Sequence, residues 1–362
     1  MQFKPDKIFI DEDVLDTAIT RRVLEHFTGV EKTIISENDR PVGLTSKGLT
    51  ISQGKKTLHL KRFKGDPFKL CPGFSDDVLC CNYYVINVVE NCPLDCTYCI
   101  LQAFINKPAI TIHANLEEMV QQTLTAIQNE PSRTFRVGTG EHGDSFALDT
   151  VLDINSYLVK QFSKVPNAIL ELKTKTDNID ALLDLEHGGR TVVAWSLNPP
   201  EIIKKQELKT VSLEDRLEAA RKLVENGYRV AFHFDPIIYY QGWENGYKHT
   251  VDMMLDAVPG DSIAWISLGT LRFIPALKKI AEERFSNLSI FHNEFTPAHD
   301  GKMRYLKPIR KELLSSISRW IKERSPSIPL YLCMEKRSVW GDVMGSCPGN
   351  PKELEAYLSD GF

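Results

Sequence analysis

Cys92, Cys96 and Cys99 stand within eight residues of one another in ENCPLDCTYCILQ, with three and then two residues between them. Three thiolates on one tight loop can hold three irons of a cubane 4Fe–4S cluster. An ordinary electron-transfer cluster needs a fourth cysteine close by. The next cysteine after Cys99 is Cys333, so one iron is expected to stay open to a small ligand. Structural zinc would want four ligands at finger-like spacing, and no second CxxC or HxxxH supplies them. Packed core thiols are the other ordinary reading of cysteine.

A second group follows some forty residues on, in RVGTGEHGDS. Glycines there let the backbone approach a ligand closely and permit unusual dihedrals; Gly138, Thr139, Gly140 and Glu141 are the residues concerned. Lys175, Ser196 and Asn198 fall at or just past the ends of later apolar runs, as ligand contacts or as solvated loop residues. His233 and Asp235 alternate on one strand and therefore share a face. Further on, KMRYLKPIRK concentrates Lys302, Arg304, Lys307, Arg310 and Lys311 around Tyr305. That run suits a nucleic-acid contact in which Tyr305 stacks on or wedges beside a base, or a solvated loop entering a helix.

The elements that must position these groups can be read from the apolar pattern. Residues 1–75 read as a small α/β unit: strands at KIFID and KTIIS, a helix over 13–27 between them, a polar stretch over 37–56, a strand near 58–63 and a CPGF turn at 71–74. From residue 76 strands and helices alternate. NYYVINVV (82–89) reads as one buried strand ahead of the cysteine loop. RTFRVG, AILELKT, TVVAWSL, RVAFHFD and SIAWISLG follow as strands, each with a helix after it, and the helix over 213–226 stops at Gly227 as a C-cap glycine should. A helix over 310–322 and a last strand, IPLYLC, complete the series. Repeated βα units imply parallel strands with right-handed crossovers. The expected fold class is α/β, a partial (β/α)6 TIM-like barrel over 76–335 with the small N-terminal unit and a C-terminal tail, 336–362. Active groups then belong on the loops after the strands' C-terminal ends.

Composition narrows the function classes. The chain has 362 residues, 42% apolar and 25% charged, with a net charge of −4. An acidic balance argues against non-specific coating of nucleic acid, so any such contact needs a local patch. No stretch approaches the 18 apolar residues of a membrane span, the N-terminus lacks a secretory apolar core, and eight cysteines without a leader point to metal or redox work in the cytoplasm rather than disulfides.

CxxxCxxC with an aromatic residue, Tyr98, just before the third cysteine resembles the radical-SAM signature. The resemblance extends to the spore photoproduct lyase family over most of the chain, through VLEHFTG, CTYCILQ, LKTKTDNIDALL, WSLNP, LEDRLEAARKLVENGYRVAF, PIIYYQGWENGYKH and KMRYLKPIRK. It implies that Cys92, Cys96 and Cys99 bind the cluster and that S-adenosylmethionine (SAM) chelates the open iron. It implies SAM contacts from Gly138, Thr139, Gly140 and Glu141, beside which Lys175, Ser196 and Asn198 at the strand ends are candidate polar contacts for its carboxylate or ribose. The same resemblance implies a 5′-deoxyadenosyl radical that abstracts hydrogen from a thymine photoproduct in DNA, nucleic-acid contacts from Lys302, Arg304, Tyr305 and Lys307, and a flavodoxin or ferredoxin as electron donor. The sequence departs from the family in two places. Glu141 stands where the family has its hydrogen-donor cysteine, and Ile100 stands where it has a Tyr after the third cluster cysteine. Tyr98 and Cys333, at the end of the last strand, are the expected catalytic substitutes, while Cys80 and Cys81 are expected to be packing residues remote from the site. A radical-SAM enzyme acting on a small molecule or peptide without DNA binding is the alternative.

Overall fold

The computed structural model describes residues 3–36, 44, 48–73, 78–286 and 288–362; half of the polar stretch over 37–56 and Phe74 of the CPGF turn lie outside them. Two sheets organise the chain. The larger runs, in spatial order, Lys69–Leu70, Tyr84–Val85, Phe135–Gly138, Ala168–Thr174, Thr191–Ser196, Arg229–Ile237, Ile263–Thr270 and Leu330–Leu332. All neighbours are parallel except the short first pair. Spatial order thus equals chain order, which is what successive βα units joined by helices produce, and an antiparallel edge strand leaves the curl open as a partial barrel. The wall is buried on both sides, from Val192 to Trp195 without exposure and across Ile263–Thr270, which is why these strands read as unbroken apolar runs.

The N-terminal unit is also parallel: Glu31–Ile35, Lys7–Asp11 and Thr57–Lys61 pair in that order. Its helix is shorter than expected. Thr17 takes an extended conformation and caps Ala18–His26 by accepting from the Thr20 amide, so the preceding residues form only a 3-10 turn, Glu12–Val14. The unit does not end at residue 75. Ile110–His113, after the cysteine loop, pairs with Thr57–Lys61, and Val89–Glu90 closes the same sheet. One apolar core runs through both sheets, from Ile8 and Leu58 to Phe135 and Trp265.

NYYVINVV is not one strand. Tyr84–Val85 joins the barrel and Val89–Glu90 the N-terminal sheet. Each is only two residues long, because the chain must cross from one sheet to the other before it reaches the cysteines. The last 27 residues, 336–362, are likewise not a bare tail. Arg337–Met344 and Pro351–Ser359 are helices. Glu355 of the second receives Arg133 at 2.9 Å and Asn82 at 3.0 Å, tying it to the barrel's open edge.

Candidate functional site

The cysteine loop is held from three directions. Asn91, in the left-handed region at φ 71°, accepts the Cys92 amide on Oδ1 at 2.8 Å and donates through Nδ2 to the Pro108 carbonyl at 2.6 Å. Asp95–Cys96 pairs antiparallel with Glu207–Leu208, and the Thr97 hydroxyl donates to Gln206 at 2.6 Å. Gln102 donates to the carbonyls of Cys96 and Thr97 at 3.1 Å. Cys92 and Cys96 are buried and Cys99 is half-buried. Burial pushes the Cys92 thiol up to about 12 and the Cys96 thiol well above its ordinary value.

Tyr98 is packed behind this loop rather than in front of it. Its hydroxyl donates to Glu207 in a short hydrogen bond, and Asn198 donates to the same carboxylate oxygen at 2.9 Å. Arg216 pairs with the other oxygen at 2.7 Å, both side chains fully buried, and Tyr247 donates to Asn198 Oδ1 at 2.7 Å. Burial opposes the charge on Glu207, but Arg216 and then Lys175 hold its carboxyl down to about 2. The expected catalytic role of Tyr98 and the ligand contact of Asn198 therefore give way to a strapping network centred on Glu207, a residue that no sequence signal marked. A carboxylate in EIIKKQEL reads as the polar end of a helix until the fold buries it. Ser196 keeps a partly exposed side chain, with its carbonyl accepting from Arg216 at 2.8 Å. Lys175 is partly exposed, and its charge acts on Cys96 and Glu207.

The GTGE turn follows Phe135–Gly138 directly. A Cβ at Gly138 would come within 1.7 Å of the Tyr83 hydroxyl and 2.6 Å of the Glu171 carbonyl on the adjacent strand, so only glycine fits there. Thr139 donates to Ser145 at 2.8 Å. Asp144 accepts from the Phe146, Ala147 and Lys175 amides and from Thr174 at 2.7–3.0 Å, fixing the loop's path. The His142 carbonyl accepts the Asn91 amide at 2.7 Å, which sets this turn beside the cysteine loop. Glu141, half-buried, reaches Lys173 at 3.5 Å.

Inside the barrel a cavity of about 110 Å³ is lined by Glu141, Cys71, Cys81 and Cys333, with Arg136 and His233 among the polar groups around it. Cys80 is at its margin as well. The expectation that Cys80 and Cys81 lie far from the site is thus overturned. A fully extended strand from Cys81 to Cys92 would have set them remote, but the chain breaks into two short pieces, Tyr84–Val85 and Val89–Glu90, that belong to different sheets. Cys333, on the residue after Leu330–Leu332, reaches the cavity as the parallel topology requires. Burial and then the Asp235 charge raise its thiol well above the ordinary value. Burial pushes Cys71 up to about 12. Cys81 is instead lowered, first by its hydrogen bond with Cys80.

A polar chain crosses the cavity floor. Arg136 reaches Glu171 at 3.1 Å, Glu171 meets His233 Nε2 at 2.7 Å, and His233 Nδ1 meets Ser267 at 2.8 Å. Burial disfavours the Glu171 charge, yet His233 and Arg136 keep its carboxyl below the usual range, while burial lowers His233. A neutral imidazole that donates through Nε2 and accepts at Nδ1 fits both shifts. Asp235 receives Arg272 at 2.9 and 3.0 Å. His233 and Asp235 do share the inner face, as their alternation predicts. Arg136, Glu171 and Lys173 were missed, although a charge at alternate positions of an apolar strand is the signal that marks an inward polar group.

Of KMRYLKPIRK, Met303–Tyr305 is one strand of a hairpin with Phe295–Pro297, and from Lys307 the run is helix, Lys307–Arg324; its groups are committed. Tyr305 is fully buried, stacked on Phe295 at 4.5 Å, with its hydroxyl accepting the Tyr239 amide. Arg304 forms a two-pronged pair with Asp300 at 2.6 and 2.8 Å, and Lys302 meets the same carboxylate at 3.3 Å. Lys307 and Lys311 share Asp342 at 3.2 and 3.1 Å, and Arg310 is paired with Glu335. The expected stacking by Tyr305 is excluded by its packing, and Lys302, Arg304 and Lys307 are engaged within the chain. Neighbouring acids in HNEFTPAHDGK and WGDV supply the pairing, which a count of basic residues does not register.

The donor set fits an iron–sulfur cubane by its chemistry: three soft thiols, from one loop, beside a glycine turn. Among the described residues no group of three or more His, Cys, Asp or Glu is set to hold a single metal ion. The family model described as spore photoproduct lyase matches residues 3–327. The spore photoproduct lyase of Bacillus subtilis (strain 168) is 29% identical over 205 residues, which span 56% of this chain and 60% of that protein. That of Clostridium acetobutylicum is 25% identical over 304 residues, spanning 83% of this chain and 86% of that one. A solved spore photoproduct lyase complexed with dinucleoside spore photoproduct superposes with a TM-score of 0.80 at 23% identity, covering 92% of this chain and all of its own. At that identity the likeness is one of fold.

Proposed function

This chain belongs to the spore photoproduct lyase family, and from that premise we propose that it is a radical-SAM enzyme that repairs a thymine photoproduct in DNA by hydrogen abstraction and bond fragmentation. The observation that carries the reading is the placement of the three-cysteine loop beside the GTGE turn, whose Glu141 opens onto a cavity lined by thiols. Cys92, Cys96 and Cys99 would ligate a 4Fe–4S cluster, leaving one iron for SAM. The turn Gly138–Thr139–Gly140 would bring backbone close to SAM, Glu141 would accept from its ammonium, and Lys175 and Ser196 would meet its polar groups. When bound, cluster and SAM supply a 5′-deoxyadenosyl radical; the protein positions reactants and excludes water.

Cys333 takes the place of the donor cysteine that Glu141 displaces. A hydrogen-atom donor must be present as S–H, and burial with a neighbouring carboxylate keeps this thiol protonated. The lowered Cys81 is poorly suited by the same argument. The one-electron donor is proposed to be a flavodoxin or ferredoxin. The test is anaerobic incubation of reconstituted protein with dithionite, SAM and a dinucleotide spore photoproduct, read by mass spectrometry. Repaired thymines with 5′-deoxyadenosine are expected. Absence of 5′-deoxyadenosine sinks the radical-SAM reading.

A second reading, action on a small molecule or peptide, is favoured by one observation. The basic run over 302–311 is paired with Asp300 in the hairpin and with Asp342 at the helix that follows. Release of 5′-deoxyadenosine without any change in the dinucleotide would select it.

A further inference from the structure

Lys55 lies outside every motif named above, in the turn that follows the short helix Ile51–Gly54 of the N-terminal unit. It is 3% exposed. A buried ammonium needs partners, because desolvating an unpaired charge is expensive. Its Nζ donates to the carbonyls of Cys92 at 2.8 Å and Leu94 at 2.5 Å and stands 3.8 Å from Asp95. The approach depends on Gly54, where a Cβ would come within 2.1 Å of the Pro108 oxygen, the same oxygen that Asn91 uses to orient the Cys92 amide. The turn, Pro108 and the cysteine loop are thus locked together around one cation.

A strap alone would need only a neutral donor. Around Asp95 the positive charge is in excess. Asp95 also meets Arg284 at 2.9 Å and Lys209 at 4.0 Å, so one carboxylate faces three cations beneath the loop. Positive charge beside a cluster favours the state carrying one more electron, and net charge and hydrogen bonding around the ligands are what set such potentials. Lys55 is the most buried of the three, where the field is least screened by water.

We propose that Lys55, reaching across from the N-terminal unit, raises the reduction potential of the cluster held by Cys92, Cys96 and Cys99 as well as fastening its loop. The inference rests on the cluster reading above. Lys55 is a positioning residue and touches no substrate.

The experiment is an EPR-monitored redox titration of the full chain, reconstituted anaerobically, as wild type and as Lys55→Met, Lys55→Gln and Lys55→Arg. The Met and Gln variants are expected to hold about four irons, as a cubane requires, with a midpoint shifted to more negative values. Lys55→Arg is expected to titrate with the wild type. Met and Gln variants that titrate at the wild-type midpoint overturn the proposal. So does loss of iron from both while Lys55→Arg retains it, since Lys55 is then a strap and nothing more. A wild type that takes up no iron sinks the cluster reading itself, and iron analysis before titration tells the two failures apart.

Discussion

The Glu141 carboxylate is only half-buried, 3.5 Å from Lys173. If it accepts from the SAM ammonium, Glu141→Gln weakens SAM binding by about 1.5–3 kcal/mol, the range for hydrogen bonds to charged groups. The low end is expected because Lys173 already competes for the oxygen. Calorimetry at unchanged iron content measures it, and an unaltered affinity returns the segment to a plain turn. Cys333 carries the second residue-scale expectation. Cys333→Ala should cleave SAM at the wild-type rate yet give adducts or misquenched product instead of repaired thymines. If the variant repairs as the wild type does, the donor is another group, with Cys71 the next protonated thiol on the same cavity.

Among the elements, the hairpin Phe295–Tyr305 is one where acid should be felt. The two-pronged bond from Arg304 holds the Asp300 carboxyl well below the usual carboxylate range. A carboxyl depressed in the folded state contributes stability that is present above its unfolded value and lost as pH falls toward the folded one. The window therefore opens below about pH 4, the ordinary aspartate value. Amide protection factors over residues 295–305, taken relative to the intrinsic exchange rate at each pH, should fall from there downward, and Asp300→Asn should remove the dependence. Protection in the hairpin that is flat with pH in the native protein would show that another contact holds it. The hairpin also explains why a basic run was misleading. Sequence spacing brought Lys302, Arg304 and Lys307 together, but the turn at Asp300 and the helix Arg337–Met344 bring the acids that pair with them.

The whole molecule carries a net charge of −4, and its local basic patch is internally paired. Affinity for undamaged duplex DNA should accordingly be weak and depend shallowly on salt. Each phosphate neutralised contributes about −0.9 to the slope of log K against log salt, so a slope shallower than about −3 is expected in a binding titration. A slope of about −6 or steeper would mean that the ion pairs of the hairpin open to meet the backbone. Selection would then rest on an extruded lesion reaching the barrel cavity, an arrangement in which a damaged, poorly stacked base is the easiest to extract. The cavity itself is a product of the whole chain: Cys71 and Cys81 precede the cysteine loop, Glu141 follows it, and Cys333 arrives from the last strand.

Five barrel strands, from RTFRVG to SIAWISLG, were legible in the sequence because each is an apolar run fixed by burial on both faces, and helix caps such as the Ser212–Asp215 box because they are local chemistry. The cysteine loop and the glycine turn were legible for the same reason: a ligand set or a close backbone approach depends on residues a few positions apart. Tertiary structure alone decided the partners of the buried charges. Tyr98 and Glu207 are 109 residues apart, Glu171 and His233 are 62 apart, and Lys55 meets the Cys92 carbonyl across 37. Spacing says nothing about such pairs. A charged side chain enters a low-dielectric interior only where the fold supplies its counterpart, and which one it finds is settled when the sheets close.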